Sequence, residues 1–543
     1  MQTRGVTMEA LLEAHTRLVA ALRSPSCYKH PATTVDVIET HISTVLLAGA
    51  YAYKIKKPIR LPFLDFSTLA KRQHYCVEEH RLNCRLAPEW YLGVVPIVNS
   101  GNEVAVEGEG KVLDYALKMR RFPQQALLDC RLAAGELLPD AVTRLADCIA
   151  LFHRRAARAD ETDTALQAEQ RLRPVTDNLA ELNELLATDM PAERIAFKRA
   201  EEFLSRQREC LAAWFEERQA HGYVRECHGD LHLGNVALLA ASNELVVFDA
   251  IEFDPLLRWL DVIDEVAFTT MDLEHRQANC FSGLFLNAYL QRTGDYAGLT
   301  ALRFYQCHRA LVRAKVNLLR AQQLAEDAEG SNRSEALNYL HQAAAYTDPG
   351  WPQLVITHGP SASGKSTLAR QLSEHAGFIW LRADIERKRL GGLSAETQSG
   401  SALNQGLYTP EATDKTYRHM FELAESLLGA GFPVVIDASF LQYRQRIAAA
   451  HLAHRANVAF VIVGCVVKPD ELRRRLKQRA LDEQVSEADI DVLEHQLSHC
   501  DPLTDKELLC FSEVDSSLRS NWIQALQAGP QTSQTGLHPL AVE

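Results

Sequence analysis

Hydrophobic and polar positions change their period several times along the chain. The first 24 residues repeat apolar positions at helical spacing between mixed charges, which predicts an amphipathic helix. Residues 43–61 carry two β-type runs on either side of Gly49 and predict a hairpin. A helix is predicted from about Ser67 to Leu86, and three strands over 91–122, where Ser-Gly-Asn and Gly-Glu-Gly mark the turns. These elements together predict a small α+β lobe.

The rest of the chain divides into a helical part and an alternating part. Residues 123–345 have a mostly helical period, interrupted by loops and short strands near the motif HGDLHLGN. The segment DPGWPQ (348–353) combines Asp, Pro and Gly just before a new apolar run, so we place a domain boundary near residue 347. Strand and helix patterns then alternate, which predicts a parallel sheet wrapped by helices. The predicted domain limits are 1–346, with lobes at about 35–122 and 123–346, then 347–525, and a flexible tail at 526–543.

Composition narrows the class of protein. The 543 residues are 47% hydrophobic and 24% charged, as in globular proteins. No apolar run is long enough to span a bilayer, and the N-terminus lacks the apolar core of a secretory signal, so we expect a cytoplasmic location. The 12 cysteines are scattered without a CxxC pair, which argues against a zinc site or a disulfide framework. A net charge of -12 disfavours broad adhesion to nucleic acid, although a local basic patch stays open.

The segment GPSASGKST matches a phosphate-binding loop in its required setting. It directly follows a predicted strand and opens a predicted helix. This context favours a phosphate-binding loop over a glycine loop that matches the motif by chance. Glycines let successive N–H groups face phosphates, and the helix N-terminus adds a positive dipole end. A lysine and a hydroxyl at the end of the motif suit phosphate oxygens and Mg²⁺. The expected nucleotide-binding residues here are Gly359, Ser361, Ser363, Gly364, Lys365, Ser366 and Thr367.

Charged residues after this loop suggest the remaining parts of a phosphoryl-transfer site. Asp437 ends an apolar strand, where it could orient the Mg²⁺ water shell or simply cap a helix. Asp384 ends the second strand on the side of the phosphate loop and could accept a hydroxyl proton. Arg387, one turn on, could hold an anionic part of the acceptor. Arg475 and Arg479 lie at i, i+4 and suit a mobile lid, or else a solvated basic helix face.

Residues 350–500 resemble P-loop kinases of the zeta-toxin, polynucleotide 5′-hydroxyl kinase and chloramphenicol phosphotransferase type. In those families an Asp after the second strand serves as the base. The resemblance implies that role for Asp384, and nucleotide or acceptor roles for Lys365, Ser366, Arg387 and a lid arginine. It implies phosphoryl transfer without naming the acceptor.

A second motif lies in the helical part of the chain. HGDLHLGN places Asp230 and Asn235 five positions apart, the spacing of the catalytic loop of protein kinases, and Asp249 follows 14 residues later on an apolar strand. Such a loop and strand can hold ATP and Mg²⁺ beside a hydroxyl, with Asp230 as base and Asn235 and Asp249 as metal ligands. The alternative is that these residues only cap turns.

Residues 35–345 resemble the aminoglycoside phosphotransferase family, a branch of the protein-kinase-like fold, whose H-G-D-x-H-x-x-N signature matches residues 228–235. In AYKIKK the resemblance implies that Lys54 binds the α/β-phosphates and that Ala52 forms a wall facing the adenine. Lys56 points to the same side of the strand as Lys54, so it stays open as an alternative phosphate ligand. A helix glutamate should pair with the lysine, and we choose Glu79 over Glu78. In FDPLLRWLDV, Asp261 would brace the catalytic loop.

Two features depart from the protein-kinase pattern. No G-x-G-x-x-G loop precedes the lysine strand, where only Gly49 stands, and Asp249 is followed by Ala-Ile instead of Phe-Gly. Aminoglycoside kinases commonly lack both features. The domain order, with YKIKKP, RLAPEWYLGVVP and YQCHRALVRAKV, resembles bacterial proteins described as bifunctional aminoglycoside phosphotransferase and ATP-binding proteins. The implied fold class is a protein-kinase-like α+β domain followed by an α/β P-loop kinase domain with a parallel sheet.

The acceptor is a separate question. Aminoglycosides are polycations, and their site should be lined with carboxylates. Residues 304–321 instead place Arg309, Arg313 and Arg320 near one helix face, which hints at an anionic acceptor. The interpretation we favour is that these arginines pair with the carboxylates of DEVAFTTMDLE.

We therefore expect an ATP- and Mg²⁺-dependent protein with two phosphotransferase modules acting on hydroxyl groups of small metabolites. Two alternatives remain: one module is an ATP sensor that gates the other, or the C-terminal domain is a nucleic-acid end kinase. No pattern in the sequence indicates an oligomeric state.

Overall fold

The computed structural model describes residues 7–61, 64–101, 103–160, 166–186, 191–240, 242–322, 326–394, 397, 406–479 and 490–514. The chain divides into two compact units. The first unit contains Met1–Asp272 and Phe304–Ala345, and the second contains Leu273–Arg303 and Tyr346–Glu543. The tail expected at 526–543 lies outside the described residues.

The first unit begins with a lobe dominated by one antiparallel sheet. Its elements are α1 (Met8–Leu22), β1 (Val35–Glu39), β2 (Ser43–Ala48), β3 (Tyr51–Lys56), β4 (Arg60–Leu61), β5 (Leu64–Asp65), α2 (Leu69–Asn83), β6 (Tyr91–Ser100), β7 (Glu103–Val106) and β8 (Lys111–Arg120). Six strands pair in the order β1-β2-β3-β8-β6-β7. The predicted hairpin around Gly49 and the three strands over 91–122 are present, while β1, β4 and β5 escaped the sequence analysis.

Apolar side chains on one face of this sheet build the lobe's core. Leu46, Tyr53, Ile55, Ile97 and Ala116 are all buried in a single cluster. Alternation along β3 sends Ala52 and Lys54 to the opposite face from Tyr53 and Ile55, because neighbouring residues of a strand point to opposite faces. The sheet thus carries Lys54 on the face away from this cluster.

The rest of the first unit is mainly helical. Its helices are α3 (Leu128–Ala133), α4 (Pro139–Arg155), α5 (Ala168–Arg171), α6 (Arg173–Leu185), α7 (Pro191–Cys210), α8 (Ala212–Ala220), α9 (Val262–His275), α11 (Leu302–Ala321) and α12 (Glu326–Ala345), and its strands are β9 (Val224–Glu226), β10 (Val236–Leu239), β11 (Glu244–Val247) and β12 (Trp259–Asp261). Helix α10 (Asn279–Thr293) follows α9 in the chain but belongs to the second unit. Strands β10 and β11 form one antiparallel pair, and β9 and β12 form another. The chain between β9 and β11 contains HGDLHLGN, so the motif lies on a loop held between two small ladders.

The second unit has the predicted parallel sheet. Its further elements are β13 (Gln353–His358), α13 (Lys365–Ala376), β14 (Ile379–Arg382), α14 (Ala383–Leu390), α15 (Pro410–Gly429), β15 (Val434–Asp437), α16 (Tyr443–Arg455), β16 (Ala459–Cys465), α17 (Pro469–Arg479), α18 (Ile490–Ser498), α19 (Asp505–Leu508) and β17 (Phe511–Val514). The strand order is β14-β15-β13-β16-β17, and every pairing is parallel. The fifth strand, β17, was not predicted.

Helix α10 packs within the second unit, although it precedes the predicted boundary near residue 347. The side chain of Asn287 explains this placement. Its Oδ1 accepts the N–H of Trp380 at 2.7 Å, and its Nδ2 donates to the carbonyl of Phe378 at 3.1 Å. The Trp380 N–H belongs to β14, an edge strand, and the Phe378 carbonyl directly precedes that strand, so Asn287 satisfies hydrogen bonds that no further strand provides.

Close packing of α10 on α13 requires a glycine. A Cβ atom at Gly283 would lie 2.2 Å from the carbonyl oxygen of Ser373, a backbone atom that cannot move aside. Helix α10 then ends at Gly294, whose φ of 76° closes the helix in the left-handed region. Contacts far apart in sequence therefore assign residues 273–303 to the second unit.

Two features of the described residues bear on the earlier expectations. None of their helices is long and apolar enough to cross a membrane. All 12 cysteines lie in described parts of the chain, and all are free thiols. The absence of a disulfide framework agrees with their scattered spacing.

Replacing Asn287 should loosen the edge of the parallel sheet. Asn287→Ala leaves the buried Trp380 N–H and Phe378 carbonyl unpaired, a loss of about 1–3 kcal/mol in local opening free energy. Hydrogen–deuterium exchange of peptides covering Ile379–Arg382 measures this loss. Asn279→Ala, at an exposed position of the same helix, is the control and should change protection by less than about 0.5 kcal/mol. Equal protection in both variants would contradict the role given to Asn287.

Candidate active sites

Lys54 of β3 lies in a cluster of buried charges. Its Nζ donates to Glu79 Oε1 at 2.7 Å and also contacts Asp249 Oδ1. Burial would raise the pKa of Glu79, but the charges and hydrogen bonds of Lys54 and Lys56 lower it to about 2. Burial likewise opposes the charge of Lys54, yet Asp249 and Glu79 raise the pKa of its ammonium well above the usual value. Lys54 and Glu79 are therefore both ionised at neutral pH.

A second lysine completes the cluster. Lys56 Nζ donates to the other oxygen of Glu79, Oε2, at 2.7 Å, and it contacts Glu252. Lys56 is fully buried, and Glu252 is 4% exposed. Lys54 is the lysine beside Asp249, whose side chain is 43% exposed, so it is the one that faces the open side of the cluster. Glu78 instead pairs with Arg81 and Arg258.

The motif HGDLHLGN folds into a loop whose polar groups bond to one another. Asn235 Nδ2 donates to the carbonyl of Asp230 at 2.9 Å and to its Oδ2 at 3.1 Å. His232 Nδ1 accepts the N–H of Gly234, so a neutral ring carries its proton on Nε2, which lies 3.5 Å from Asp230 Oδ2. His228 Nδ1 accepts the N–H of Asp230, and its Nε2 donates to the carbonyl of Phe248 at 2.8 Å.

These contacts set the charge of Asp230. Burial opposes its ionisation, but His232 and Arg313 hold the pKa of its carboxyl well below the usual range. The pKa of His228 is lowered by burial, so this ring stays neutral and acts as a hydrogen-bonding link. Asp230 is consequently an ionised carboxylate at neutral pH, as a proton acceptor must be.

Helix α9 holds the catalytic loop through Glu265. Its Oε1 accepts the N–H groups of His228 and Gly229 at 2.7 and 2.8 Å. Its Oε2 lies 2.7 Å from His153 Nε2 on α4. Asp261, expected in this role, does not contact the loop: it forms a two-point ion pair with Arg218. Asp261 ends β12 and faces α8, whereas Glu265 lies one helical turn further along the chain and faces the loop. Glu265 therefore takes the place that was expected for Asp261.

Asp249 follows β11 in an uncommon backbone conformation. Its φ is 68°, in the left-handed region, where Asp is tolerated better than most residues. The Asp249 N–H donates to the hydroxyl of Tyr91, and the next N–H, of Ala250, donates to Asn83 Oδ1. Phe248 N–H donates to the carbonyl of Asn235, because β10 and β11 pair in register. The pairing brings Asn235 and Asp249, the two expected metal ligands, to neighbouring positions.

Ala52 lies two residues before Lys54 on the same face of β3. It is 6% exposed and pairs with Leu47 and Met119 across the sheet. A small apolar side chain at this position leaves room for a flat group above it.

The GPSASGKST segment forms a loop between β13 and α13. Ala362 has φ 65° and Gly364 has φ 101°, so the backbone turns inward before the 12-residue helix begins. Lys365 Nζ donates to the carbonyl of Pro360 at 2.7 Å, and the Ser361 N–H donates to Gln496 at 2.7 Å. Ser363 Oγ is buried with no hydrogen-bond partner among the described residues. Ser366 and Thr367, in the first turn of α13, are exposed.

Two carboxylates lie at the carboxyl ends of neighbouring strands beside this loop. Arg382 of β14 pairs with Asp437 of β15, and Asp384 follows two residues later. Burial raises the pKa of Asp437, although Arg382, Lys365 and a hydrogen bond from Ser366 oppose the shift. Trp380 Nε1 donates to Asp437 Oδ2 at 3.2 Å. The charge of Lys365 and the hydrogen bond from Ser366 both act on Asp437, so its carboxylate lies near the start of α13.

Arginines surround the same edge of the sheet. Arg387 Nη1 lies 3.4 Å from Asp384 Oδ1, and its guanidinium stacks 4.8 Å from the ring centre of Tyr408. Arg475 on α17 pairs with Glu471 at 2.8 Å, and its Nη1 lies 3.5 Å from the carbonyl of Ala362 in the loop. Arg479 ends α17, and its side chain lies outside the described residues.

Several residues of the first site have no local signature. Glu265, Tyr91 and Glu252 contact His228, Asp249 and Lys56, while Asn83 contacts Ala250 and His153 contacts Glu265. In each of these contacts the two partners lie far apart in the chain. Glu265 offered the one usable signal, because it lies in a run of acidic residues, DVIDEV, on an otherwise apolar helix. His153 was given no role from sequence, and the structure places it against Glu265.

Comparison with known families places the two halves of the chain. The AAA_33 family model, described as an AAA domain, matches residues 354–503, within the second unit. Among solved structures, aminoglycoside 2′-phosphotransferase-IIIa is 15% identical, with a TM-score of 0.35, over 62% of this chain and 98% of that chain. A gluconokinase from Sinorhizobium meliloti 1021 is 18% identical, with a TM-score of 0.24, over 33% of this chain and 89% of that chain.

A relative covers most of both units. The uncharacterized protein Rv2004c of Mycobacterium tuberculosis (strain ATCC 25618 / H37Rv) is 32% identical over 462 residues. The match spans 84% of this chain and 89% of the mycobacterial protein. The alignment therefore includes both units and is too long to reflect a shared phosphate loop alone. This chain belongs to the same family as Rv2004c.

Proposed function

We propose that the protein is an ATP- and Mg²⁺-dependent phosphotransferase with two kinase-type modules, each transferring the γ-phosphoryl group to a hydroxyl group of a small molecule. The observation that carries the proposal is the contact of Lys54 with both Glu79 and Asp249, next to a loop that holds Asp230 ionised. An ordinary turn cap needs none of these pairings. We also propose that the first module lies within residues 1–346 and the second within 347–525, with residues 273–303 packed in the second unit.

In the first module, Asp230 is the base. It takes the proton of the acceptor hydroxyl, the hydroxyl oxygen bonds to the γ-phosphorus, and the bond to the bridging oxygen of ADP breaks. Lys54 holds the α- and β-phosphates, and Glu79 fixes the direction of its ammonium. Ala52 lies against the adenine. The oxygen atoms of Asn235 and Asp249 are hard ligands that suit Mg²⁺, which would neutralise charge on the phosphates.

In the second module, backbone groups do more of the binding. The loop from Gly359 to Gly364 aims N–H groups at the phosphates, and Lys365 adds a positive charge. The buried, unpartnered Ser363 Oγ supports a polar ligand at this loop. Ser366 and Asp437 form an oxygen pair that fits Mg²⁺.

Asp384 accepts the hydroxyl proton in this module, and Arg387 orients the acceptor. Arg475 approaches the transferred group, and Arg479 has the same charge one turn on. Because Lys365 donates to Pro360 and the Ser361 N–H donates to Gln496, a triphosphate has to replace both contacts.

Separate changes at the two bases should separate the two modules. Asp230→Asn and Asp384→Asn each remove one base and should each lower phosphate transfer by their module about 10²–10⁴-fold, without loss of ATP binding. Label from [γ-³²P]ATP into a panel of metabolites measures transfer, and titration with a non-hydrolysable ATP analogue measures binding. Asp177→Asn, at an exposed site on α6, is the control. Full transfer by the doubly substituted protein would refute both assignments.

The two lysines of β3 should differ in their effects. Lys54→Met should lower transfer by the first module, because the phosphates lose their ligand. Lys56→Met leaves the buried Glu252 without its lysine partner and leaves Glu79 paired with Lys54 alone, so it should destabilise the lobe by about 3–5 kcal/mol. Hydrogen exchange of peptides covering β3 and α2 measures stability. The double variant Lys56→Met/Glu252→Gln should recover part of the loss, whereas no recovery would contradict direct pairing of Lys56 with Glu252.

The charge of Asp230 predicts a pH effect. Since its pKa is held low, the base is ionised at neutral pH, and activity falls only when acid protonates it. His232→Gln removes the largest favourable neighbour, so the pKa of Asp230 rises and the acid limb of the kcat/KM profile moves to higher pH. His221→Gln, at an exposed site, should leave the profile unchanged. A profile that moves to lower pH in His232→Gln would exclude Asp230 as the base.

A further inference from the structure

Helix α11 brings three arginines to the catalytic loop of the first unit, and one of them has a structural role. Arg309 forms a two-point ion pair with Asp264 at 2.7 and 3.0 Å, and its Nη1 donates to the carbonyl of Gly229 at 3.2 Å. The pairing favoured from sequence therefore holds for Arg309. Gly229 directly precedes Asp230, so this contact fixes α11 against the base.

Arg313 lies one helical turn further along the same face, because residues four apart are neighbours on a helix. Its guanidinium packs 5.8 Å from the ring centre of Tyr339. Its Nε is buried and has no hydrogen-bond partner in the described parts of the chain. No described carboxylate forms an ion pair with it, unlike Arg309. Burial opposes its charge, while Tyr339, Asp230 and Asp272 raise the pKa of the guanidinium, so Arg313 remains a cation.

Arg320 follows two turns later, at an exposed position near the end of α11. Partial burial and the charge of Arg313 lower the pKa of its guanidinium, which means that the two cations lie close enough to repel each other. The same group interacts with Asp230. No ion pair to Arg320 is formed by the residues that the structure describes. Among the residues that the structure describes, neither cation forms an ion pair with a carboxylate, and both interact electrostatically with Asp230.

We infer that the acceptor of the first module is a hydroxyl compound that also carries an oxyanion group, a phosphate or a carboxylate, bound by Arg313 and Arg320. The inference rests on the proposed function, since it assigns the substrate class of the site around Asp230. An oxyanion between the two guanidinium groups removes their repulsion and gives the buried Nε of Arg313 an acceptor. A cationic acceptor such as an aminoglycoside meets like charge at the same place.

The arginines are distinct from the groups that hold ATP. Lys54 and Asp249 lie at the sheet and at the end of β11, whereas Arg313 and Arg320 lie on α11, on the side of Gly229 and Asp230. Removing either arginine should therefore weaken acceptor binding without weakening nucleotide binding. An effect on nucleotide affinity alone would show that they bind the triphosphate.

The test uses the full chain with both nucleotide sites saturated by a non-hydrolysable ATP analogue and Mg²⁺. Isothermal titration compares four probes built on one sugar ring: glucose, glucosamine, glucuronate and glucose 6-phosphate. We expect the two anions to bind about tenfold more tightly than glucose, and glucosamine to bind most weakly. The stronger of the two anions distinguishes carboxylate from phosphate.

Variants locate the binding. Arg313→Met and Arg320→Met should each weaken binding of the anionic probes about tenfold and leave the affinity for the ATP analogue within about twofold. Arg208→Met, at an exposed site on α7, is the matched control that should change neither affinity. Arg320→Lys keeps the charge and should weaken anion binding less than Arg320→Met does.

Equal binding of all four probes, preference for glucosamine, or unchanged anion binding in both Met variants would overturn the inference. Turnover is a separate readout. Arginine-dependent anion binding without phosphate transfer would leave this site standing and reject the proposed function, whereas Asp230-dependent transfer to neutral or cationic acceptors alone would do the reverse.

Discussion

Two lysines and three carboxylates meet between strand β3, helix α2 and the segment after β11, and the geometry of the first unit depends on the ion pairs that they form. Taking one such ion out of water costs several kcal/mol unless it is paired. Glu79 meets this requirement by using one oxygen for Lys54 and the other for Lys56. Asp249 and Glu252 then balance the two lysines from a third part of the chain. Because the partners come from three distant segments, the pairing fixes all three relative to one another.

The catalytic loop is positioned by the same principle. Glu265 receives two backbone N–H groups of the loop on one oxygen and His153 on the other. Arg309 donates to the carbonyl of Gly229, the residue before Asp230, and the charge of Arg309 is neutralised by Asp264. Protein groups from α4, α9 and α11 therefore fix the shape of the loop. Asp230 is held ionised by neighbours that this scaffold brings to it.

The second unit solves the corresponding problem with its backbone. Its phosphate loop has few charged side chains and relies on left-handed residues and the start of a helix. The carboxylates Asp384 and Asp437 are brought together by the pairing of β14 with β15. Burial of Asp437 raises its pKa, and Arg382, Lys365 and Ser366 are the groups that favour its ionised form. Here the sheet, not a cluster of ion pairs, places the functional groups.

The sequence by itself determined the features that depend on short spacings. A loop motif such as GPSASGKST or HGDLHLGN needs only neighbouring residues to take its shape, and alternation along β3 is enough to put Ala52 and Lys54 on one face. The parallel sheet follows from alternating strand and helix patterns. Tertiary structure alone decided that Glu265 instead of Asp261 holds the loop, that Glu252 pairs with Lys56, and that residues 273–303 belong with the second unit. The physical reason is that each of these depends on a partner many residues away, and a buried charge or an unpaired edge strand does not reveal in its own sequence which distant group will satisfy it.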